Sequence, residues 1–273
     1  MDRHGAMSNG ARIDYSVAGA PTAPALLFIN SIATTRELWA RQVSRLSKSF
    51  RVITYDARGH GFSQVTAGDY TIEQLGRDAL AILDDAGAET AHVCGISLGG
   101  ITAMWMGVHA PRRVTSLVLA NTAARIGSVE MWSERIAFVK QQGMATLADM
   151  TMPRWFTEGF RAREPHTVEP FRSMIATCSQ DGYLSCCAAL RDEDLREAIS
   201  AIRCPVLCIA GSADPATPPE ALRLIHERIA GSRLVTFDAA HLTNVEKHQQ
   251  FTSELLMFLE SGKVEELEKW KSK

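Results

Sequence analysis

One pentapeptide, Gly-Ile-Ser-Leu-Gly at residues 95–99, constrains the fold of this chain more than any other stretch. An apolar run, Thr90–Cys94, precedes it, and a helix-like segment, Ile101–His109, follows it. Glycines on both sides of a serine permit a sharp turn from a strand into a helix, which holds the hydroxyl above a parallel sheet. The pattern alone arises by chance in roughly one chain of this length in ten, so its surroundings decide its meaning.

Strand-like and helix-like segments alternate along the first part of the chain. The predicted strands are Arg12–Val17, Ala25–Asn30, Arg51–Tyr55, Thr90–Cys94 and Thr115–Ala120. The predicted helices between them are Thr35–Ser47 and Thr71–Gly87. Short, continuous apolar strands alternating with amphipathic helices indicate a parallel sheet that is covered by helices on both faces.

Strand-like runs disappear after residue 122 and return after residue 202. The stretch between them predicts helices at Val129–Gln142, Met144–Met150, Glu169–Cys178 and Asp181–Leu190. Beyond it, strands are predicted at Val206–Ala210 and Leu234–Phe237, and helices at Pro219–Ile229 and His248–Leu259. We interpret residues 1–122 and 203–273 as one α/β core and residues 123–202 as an inserted helical cap over the carboxyl edge of the sheet. A separate helical domain is the alternative, but the resumed alternation is too short to fold alone.

Composition excludes several classes of partner. Of 273 residues, 46% are hydrophobic and 22% are charged, and the formal net charge is −2. This composition is typical of a soluble globular protein, and it offers no basic excess for nucleic acid and no basic amphipathic tract for a membrane. The amino terminus lacks an apolar signal region, so we expect a cytoplasmic protein. The oligomeric state cannot be inferred from the sequence.

The six cysteines show no metal-binding pattern. None forms a C-x-x-C pair, and no histidine lies near them at the spacing of zinc ligands. We therefore expect free thiols and no metal site.

A serine hydroxyl is a weak nucleophile, and it needs a neighbouring base that is itself oriented by an acid. In folds with such a turn the chain order is serine, acid, histidine. Asp214 follows the strand Val206–Ala210, and His241 follows the strand Leu234–Phe237. Both would therefore emerge at the carboxyl edge of the sheet, beside Ser97. A helix-capping aspartate and a structural histidine are the alternatives.

Two backbone N–H groups could stabilise a tetrahedral oxyanion. One belongs to Leu98, directly after the serine, and the other to Ile32, in the loop after the strand Ala25–Asn30. A second glycine-rich turn, Asp56–Ser63, contains His60 and lacks the spacing of a phosphate-binding loop. We interpret this turn as a structural loop that braces the site.

These motifs together resemble the α/β-hydrolase superfamily and, within it, the 3-oxoadipate enol-lactonases. The elbow and the Arg-Gly-His-Gly loop are shared by much of the superfamily, whereas the Asn-Thr-Ala-Ala-Arg-Ile-Gly stretch and the cap matches are more specific. The matching stretches are Phe50–Ile53, Tyr55–Gly61, Tyr70–Asp78, Asn121–Gly127, Arg154–Phe156, Arg191–Asp192, Asp194–Arg196, Asp214–Pro219 and Ala240–Glu246.

The resemblance implies a nucleophile, an orienting acid and a base at Ser97, Asp214 and His241. It implies that a small lactone is opened through an acyl-enzyme, without a metal or organic cofactor. The oxyanion loop departs from the Asn-Ser-Leu-Gly-Thr of the family, because this chain has Ile32 and Ala33. Alanine lacks the backbone freedom of glycine if this position requires a positive φ.

A lactone of this kind carries a free carboxylate, so the pocket should present a cation. Arg125 is the candidate, since it follows the strand Thr115–Ala120; a surface or cap-hinge arginine is the alternative. Trp132 and Trp155 could line the cap side of the pocket or belong to the core of the cap.

Three other functions compete with this interpretation. Another lactonase or a carboxylesterase could use the same three residues. A haloalkane dehalogenase would need a carboxylate where Ser97 stands. A ligand receptor without enzymatic activity could retain the triad, and slow turnover with tight binding would identify it.

Overall fold

The computed structural model describes residues 2–271, with side chains for residues 3–261. Its centre is a single sheet, most of whose strands were predicted. The strands are β1 (Asp2–Ser8), β2 (Ala11–Ala18), β3 (Ala25–Ile29), β4 (Arg51–Tyr55), β5 (Ala91–Ile96), β6 (Val114–Ala120), β7 (Val206–Gly211) and β8 (Arg233–Phe237).

Helices connect the strands and cover the sheet. Those of the sheet region are α1 (Ala40–Leu46), α2 (Ile72–Asp85), α3 (Leu98–His109), α8 (Pro219–Arg228), α9 (Thr243–Glu246) and α10 (His248–Lys271). Those between β6 and β7 are α4 (Val129–Trp155), α5 (Glu158–Arg163), α6 (Pro165–Ala176) and α7 (Gln180–Asp192).

The strand order explains where a site can form. The order is β1-β2-β4-β3-β5-β6-β7-β8, and every pair from β4 to β8 is parallel. After β3 the chain adds β4 on one side of it and then β5 on the other, so the strand order reverses at β3. Ligands of open α/β sheets bind at such reversals. Ile29 lies opposite Gly95 in the register. The loop after β3 therefore leaves the sheet beside the predicted elbow.

The sequence analysis missed β1. This strand pairs antiparallel with β2 through a tight turn at Asn9 and Gly10, which have φ values of 46° and 76°. An Asn-Gly turn with two positive φ angles matches the twist of a hairpin. The segment Asp2–Ser8 has little apolar alternation, so only its pairing across the turn makes it a strand.

The long helix α4 combines two predicted helices. Gly143 interrupts it with φ 75° and ψ 174°, and this kink separates the segments predicted as Val129–Gln142 and Met144–Met150. The short helix α5 was not predicted, and α6 begins at Pro165, before the predicted start at Glu169. A proline at the first position has a preset φ for a helix start.

All six cysteines lie in the described residues and are free thiols. Within residues 2–271, no helix is long and apolar enough to cross a membrane. The same residues contain no group of three or more His, Cys, Asp or Glu side chains placed to hold a metal ion.

Glycines allow α3 to lie unusually close to the sheet. A Cβ atom on Gly99 would lie 2.2 Å from the carbonyl oxygen of Ile29 in β3. A Cβ on Gly95 would lie 2.1 Å from the carbonyl oxygen of Gly99. Both obstacles are backbone atoms, which cannot rotate away as a side chain can. Close contact between β3, β5 and α3 therefore requires glycine at both positions.

Gly99→Ala should lower the free energy of unfolding by about 1–3 kcal/mol, because the added methyl group overpacks rigid backbone. Gly107→Ala on the same helix is the matched control, since its Cβ would meet the movable end of Leu117 at 2.8 Å. Urea denaturation monitored by circular dichroism would measure both changes. Equal destabilisation of the two variants would contradict this account.

Candidate active site

Ser97 occupies a strained turn between β5 and α3. Its φ is 57° and its ψ is −117°, a combination that side-chain-bearing residues rarely adopt. Its N–H donates to the carbonyl of Ala120 at 3.1 Å, and its carbonyl accepts from the Thr122 hydroxyl at 2.8 Å. Ala120 is the last residue of β6, and Thr122 lies two residues beyond it. The neighbouring strand therefore fixes the backbone of this serine from both sides.

The predicted acid and histidine are hydrogen-bonded to each other. Nδ1 of His241 lies 2.8 Å from Oδ2 of Asp214, and both side chains are buried. Asp214 ends the turn after β7, and His241 lies in the loop after β8. The two residues are 27 positions apart in the sequence, and they meet because β7 and β8 are parallel neighbours whose carboxyl ends share an edge.

Asp214 is held as a carboxylate by several donors. The Asn121 amide and the Thr217 hydroxyl reach its Oδ2 at 2.9 and 2.7 Å, and the Ala216 N–H reaches Oδ1 at 2.8 Å. Burial raises the pKa of this carboxyl group, but His241 and these hydrogen bonds outweigh burial and lower the pKa to about 2. An ionised Asp214 makes Nδ1 of His241 a donor, which leaves Nε2 of the neutral ring as the acceptor.

Ser97 and His241 line one cavity beneath the inserted helices. Trp155 stacks over the His241 ring, with centroids 6.5 Å apart and planes 30° apart. Trp132 also lines the cavity, and its indole N–H donates to the carbonyl of Ile126 at 2.5 Å. Both tryptophans singled out in the sequence therefore face this space from α4, although each is also largely buried.

The two predicted oxyanion donors lie at the same edge. Ile32 lines the cavity, and among the described residues its N–H has no acceptor. Leu98 is the first residue of α3. The first N–H groups of a helix lack partners within it, and the helix dipole places partial positive charge there. Both N–H groups are thus available to an anion in front of Ser97.

Ala33 does adopt a left-handed backbone, with φ 60°. It is the third residue of a turn closed by the Thr34 N–H and the Ser31 carbonyl at 3.3 Å. Glycine is favoured at such a position, and an alanine there costs about 1–2 kcal/mol. The departure in the oxyanion loop therefore leaves the turn in place but adds local strain.

The structure does not place Arg125, the cation predicted from the sequence, among the residues that line this cavity. Its guanidinium pairs with Asp194 at 3.1 Å, and both side chains are about one-third exposed. The Leu195 N–H also donates to the carbonyl of Ala124 at 2.8 Å. The chain that follows β6 is thus tied to residues 194–195, and this tie holds the Arg125 side chain in an ion pair.

Two other arginines, Arg135 and Arg154, line the cavity from opposite ends of α4. Neither forms an ion pair with a carboxylate among the described residues. Burial and repulsion by Arg135 lower the pKa of Arg154, and attraction by Asp214 partly offsets them. Sequence reasoning missed both arginines, although Arg135 lies one helical turn after Trp132 and could have been found by that spacing.

A family model of the α/β-hydrolase fold matches residues 24–248. The chain belongs to the α/β-hydrolase family. This hydrolase is 40% identical over 239 residues to 3-oxoadipate enol-lactonase 2 of Acinetobacter baylyi. The match covers 88% of this chain and 90% of that protein. It is 37% identical over 252 residues to 3-oxoadipate enol-lactonase 1 of the same organism, with coverage of 92% and 94%.

A solved structure extends the similarity to the whole fold. The hydrolase matches the crystal structure of the enol-lactonase from Burkholderia xenovorans with a TM-score of 0.92 and 40% identity. The match covers 94% of the hydrolase and 99% of the crystallised chain. At this coverage the inserted helices between β6 and β7 are included in the similarity as well as the sheet.

The lowered pKa of Asp214 predicts a pH-dependent stability. Because the folded-state pKa of about 2 lies below the ordinary 3.8, this carboxylate stabilises the hydrolase above pH 4, and the contribution is lost as the pH falls. By pH 3 the free energy of unfolding should fall by about 1 kcal/mol more in the wild type than in Asp214→Asn. Urea denaturation from pH 5 to pH 3 would measure the difference.

The exposed Asp238 provides the matched control, since Asp238→Asn should follow the wild type at every pH. A parallel loss of stability in wild type and Asp214→Asn would mean that Asp214 is not the group that titrates.

Proposed function

We propose that this hydrolase opens 3-oxoadipate enol-lactone to 3-oxoadipate, with Ser97 as nucleophile, His241 as base and Asp214 as orienting acid. One observation carries the proposal: Ser97, the His241–Asp214 pair and two arginines that have no carboxylate partner in the described part of the chain belong to one buried site. A nucleophile with its base suits ester hydrolysis, and the arginines suit a substrate that carries an anion. The names of the relatives supply the specific lactone.

In the acylation step, Nε2 of His241 takes the proton of the Ser97 hydroxyl as Oγ attacks the lactone carbonyl carbon. The N–H groups of Ile32 and Leu98 stabilise the oxyanion, and each such donor contributes about 10²–10³ in rate. Collapse of the tetrahedral intermediate breaks the ring C–O bond, and the ring oxygen leaves as an enolate. The proton that His241 took from Ser97 passes to this leaving group, directly or through water, and the enolate protonated on carbon is the ketone. The leaving group is therefore a good one, and His241 is neutral again for the second step.

In the deacylation step, His241 removes a proton from water, which attacks the acyl carbon of the Ser97 ester. Return of a proton to Ser97 Oγ releases the new carboxylate of the product. The balance is one lactone and one water consumed and one keto diacid formed. Asp214 stays ionised throughout, because its pKa of about 2 lies far below neutral pH.

The carboxylate of the substrate is assigned to Arg135 and Arg154. Both line the cavity that contains Ser97, whereas Arg125 is paired with Asp194. Burial and, after it, repulsion by Arg135 lower the pKa of Arg154, and a bound anion would relieve that repulsion. Guanidinium groups also bind carboxylates with two parallel hydrogen bonds.

Residues 123–202 are proposed to act as a cap over this site. Four helices in this range, α4 to α7, lie between β6 and β7, and α4 supplies both tryptophans and both arginines of the cavity. Substrate recognition would then reside in the cap, while the bond-breaking groups reside in the loops of the sheet.

Ser97→Ala should abolish ring opening, because the proposed acyl-enzyme forms on the Ser97 hydroxyl. One assay follows the loss of enol-lactone absorbance with purified protein. A parallel assay measures hydrolysis of a general ester, p-nitrophenyl acetate. Full turnover by Ser97→Ala would refute the mechanism. Hydrolysis of the ester without hydrolysis of the lactone would refute the substrate and retain the hydrolase chemistry.

Arg154→Met should lower kcat/KM for the enol-lactone by about 10- to 100-fold, the usual loss when a charged hydrogen bond is removed. The same variant should hydrolyse the methyl ester of that lactone as well as the wild type does, because this substrate has no carboxylate. Arg125→Met is the matched control and should leave both rates unchanged. A larger loss in Arg125→Met than in Arg154→Met would reverse the assignment.

A further inference from the structure

Three hydrogen bonds join the loop after β3 to the end of β4 and the loop that follows it. The Asn30 amide donates to the Tyr55 carbonyl at 2.7 Å, and the Arg36 N–H donates to Oδ1 of Asp56 at 2.8 Å. Between them, the Ala33 N–H donates to Nε2 of His60 at 3.0 Å. The outer two bonds fix the ends of the loop after β3. The bond to His60 is the one that acts inside the turn that carries the Ile32 N–H.

His60 is fixed in both position and tautomer. Its side chain is buried, and its Nδ1 lies 3.1 Å from the Arg58 carbonyl oxygen, which can only accept. Nδ1 must therefore carry the proton, and Nε2 presents a lone pair to Ala33. The glycines on either side, Gly59 and Gly61, have φ values of 77° and 51° and form the tight turn that turns the ring inward.

Ala33, whose N–H makes this bond, adopts an unfavourable backbone conformation. With φ 60°, Ala33 lies in a region that alanine rarely occupies. Release of its N–H would let this residue relax to a negative φ, which rotates the peptide between Ile32 and Ala33. The N–H of Ile32 lies in the preceding peptide of the same Ser31–Thr34 turn, so relaxation of Ala33 would disturb this turn and, with it, the direction of the Ile32 N–H. The hydrogen bond from the Ala33 N–H to His60 therefore controls the direction in which the Ile32 N–H points.

We propose that His60 is a positioning residue that holds Ala33 in its left-handed conformation and thereby aims the Ile32 N–H at the oxyanion. His60 does not touch the substrate and transfers no proton. Its contribution is to keep a strained turn in the one arrangement that serves the transition state. The proposal rests on the proposed function of Ser97 and Ile32, but it concerns a residue that the reaction itself does not use.

Two substitutions separate the two nitrogens of His60. Gln can place an acceptor near the position of Nε2, whereas Asn can replace only Nδ1. With p-nitrophenyl acetate as substrate, His60→Asn should lower kcat by about 10-fold or more with KM changed by less than about 3-fold, since the loss falls on the transition state. His60→Gln should recover most of kcat. Equal losses in both variants would overturn the proposal.

The strain provides a second test. In the Ala33→Gly background the left-handed turn no longer needs to be forced, so His60→Asn should cost less than about 3-fold in kcat there. Equal cost in both backgrounds would show that His60 and Ala33 act independently, and it would overturn the proposal. Ser97→Ala in the same assay shows that the measured turnover comes from this site.

A third measurement does not depend on turnover. Amide hydrogen exchange of Ala33, followed by NMR, should accelerate by about 10-fold or more in His60→Asn and stay near the wild-type rate in His60→Gln. Unchanged exchange in His60→Asn would overturn the proposal even if activity falls. Altered exchange in an enzyme that hydrolyses neither ester nor lactone would instead refute the proposed function while the structural link stands.

Discussion

The placement of Ser97 depends on one strained turn that the rest of the sheet holds in place. A φ of 57° with a ψ of −117° costs about 1–3 kcal/mol for a residue with a side chain. Glycine at 95 and 99 lets α3 approach the backbone of β3 and β5. The end of β6 and the residues just after it bind both backbone groups of the serine. The position of the hydroxyl is therefore set by three packed strands as well as by the pentapeptide.

The electrostatics of the site depend on the same edge of the sheet. Asn121, at the end of β6, donates to both Asp214 and the carbonyl of Ala240, and its oxygen accepts from Thr243 at 2.6 Å. One side chain thus connects the strand beside Ser97 to the acid and to the loop of His241. Because Asn121 is buried with all of these bonds formed, it fixes the relative position of acid and base without adding charge.

Much of the fold and the three central side chains could be predicted, because their signals are local in the chain. Apolar runs followed by glycine, aspartate or histidine place Ser97, Asp214 and His241 at one edge of a parallel sheet. The strand β1 could not be predicted in this way, because its pairing is set by the hairpin and not by its own pattern. The cavity arginines differ in this respect. Arg135 shares a helix face with Trp132 and could have been found by that spacing, but Arg154 lies beyond the kink at Gly143, where only packing decides which face meets the cavity.

Backbone strain in the described residues is concentrated at the proposed active site. Four residues other than glycine have positive φ, and three of them, Ala33, Ser97 and Asn121, follow the adjacent strands β3, β5 and β6. Glycine would remove the strain at Ala33, but it would also give the free loop more conformations to lose when the oxyanion forms. An alanine held by His60 has fewer alternative backbone conformations than glycine. The restriction that strains this turn therefore also preorganises it.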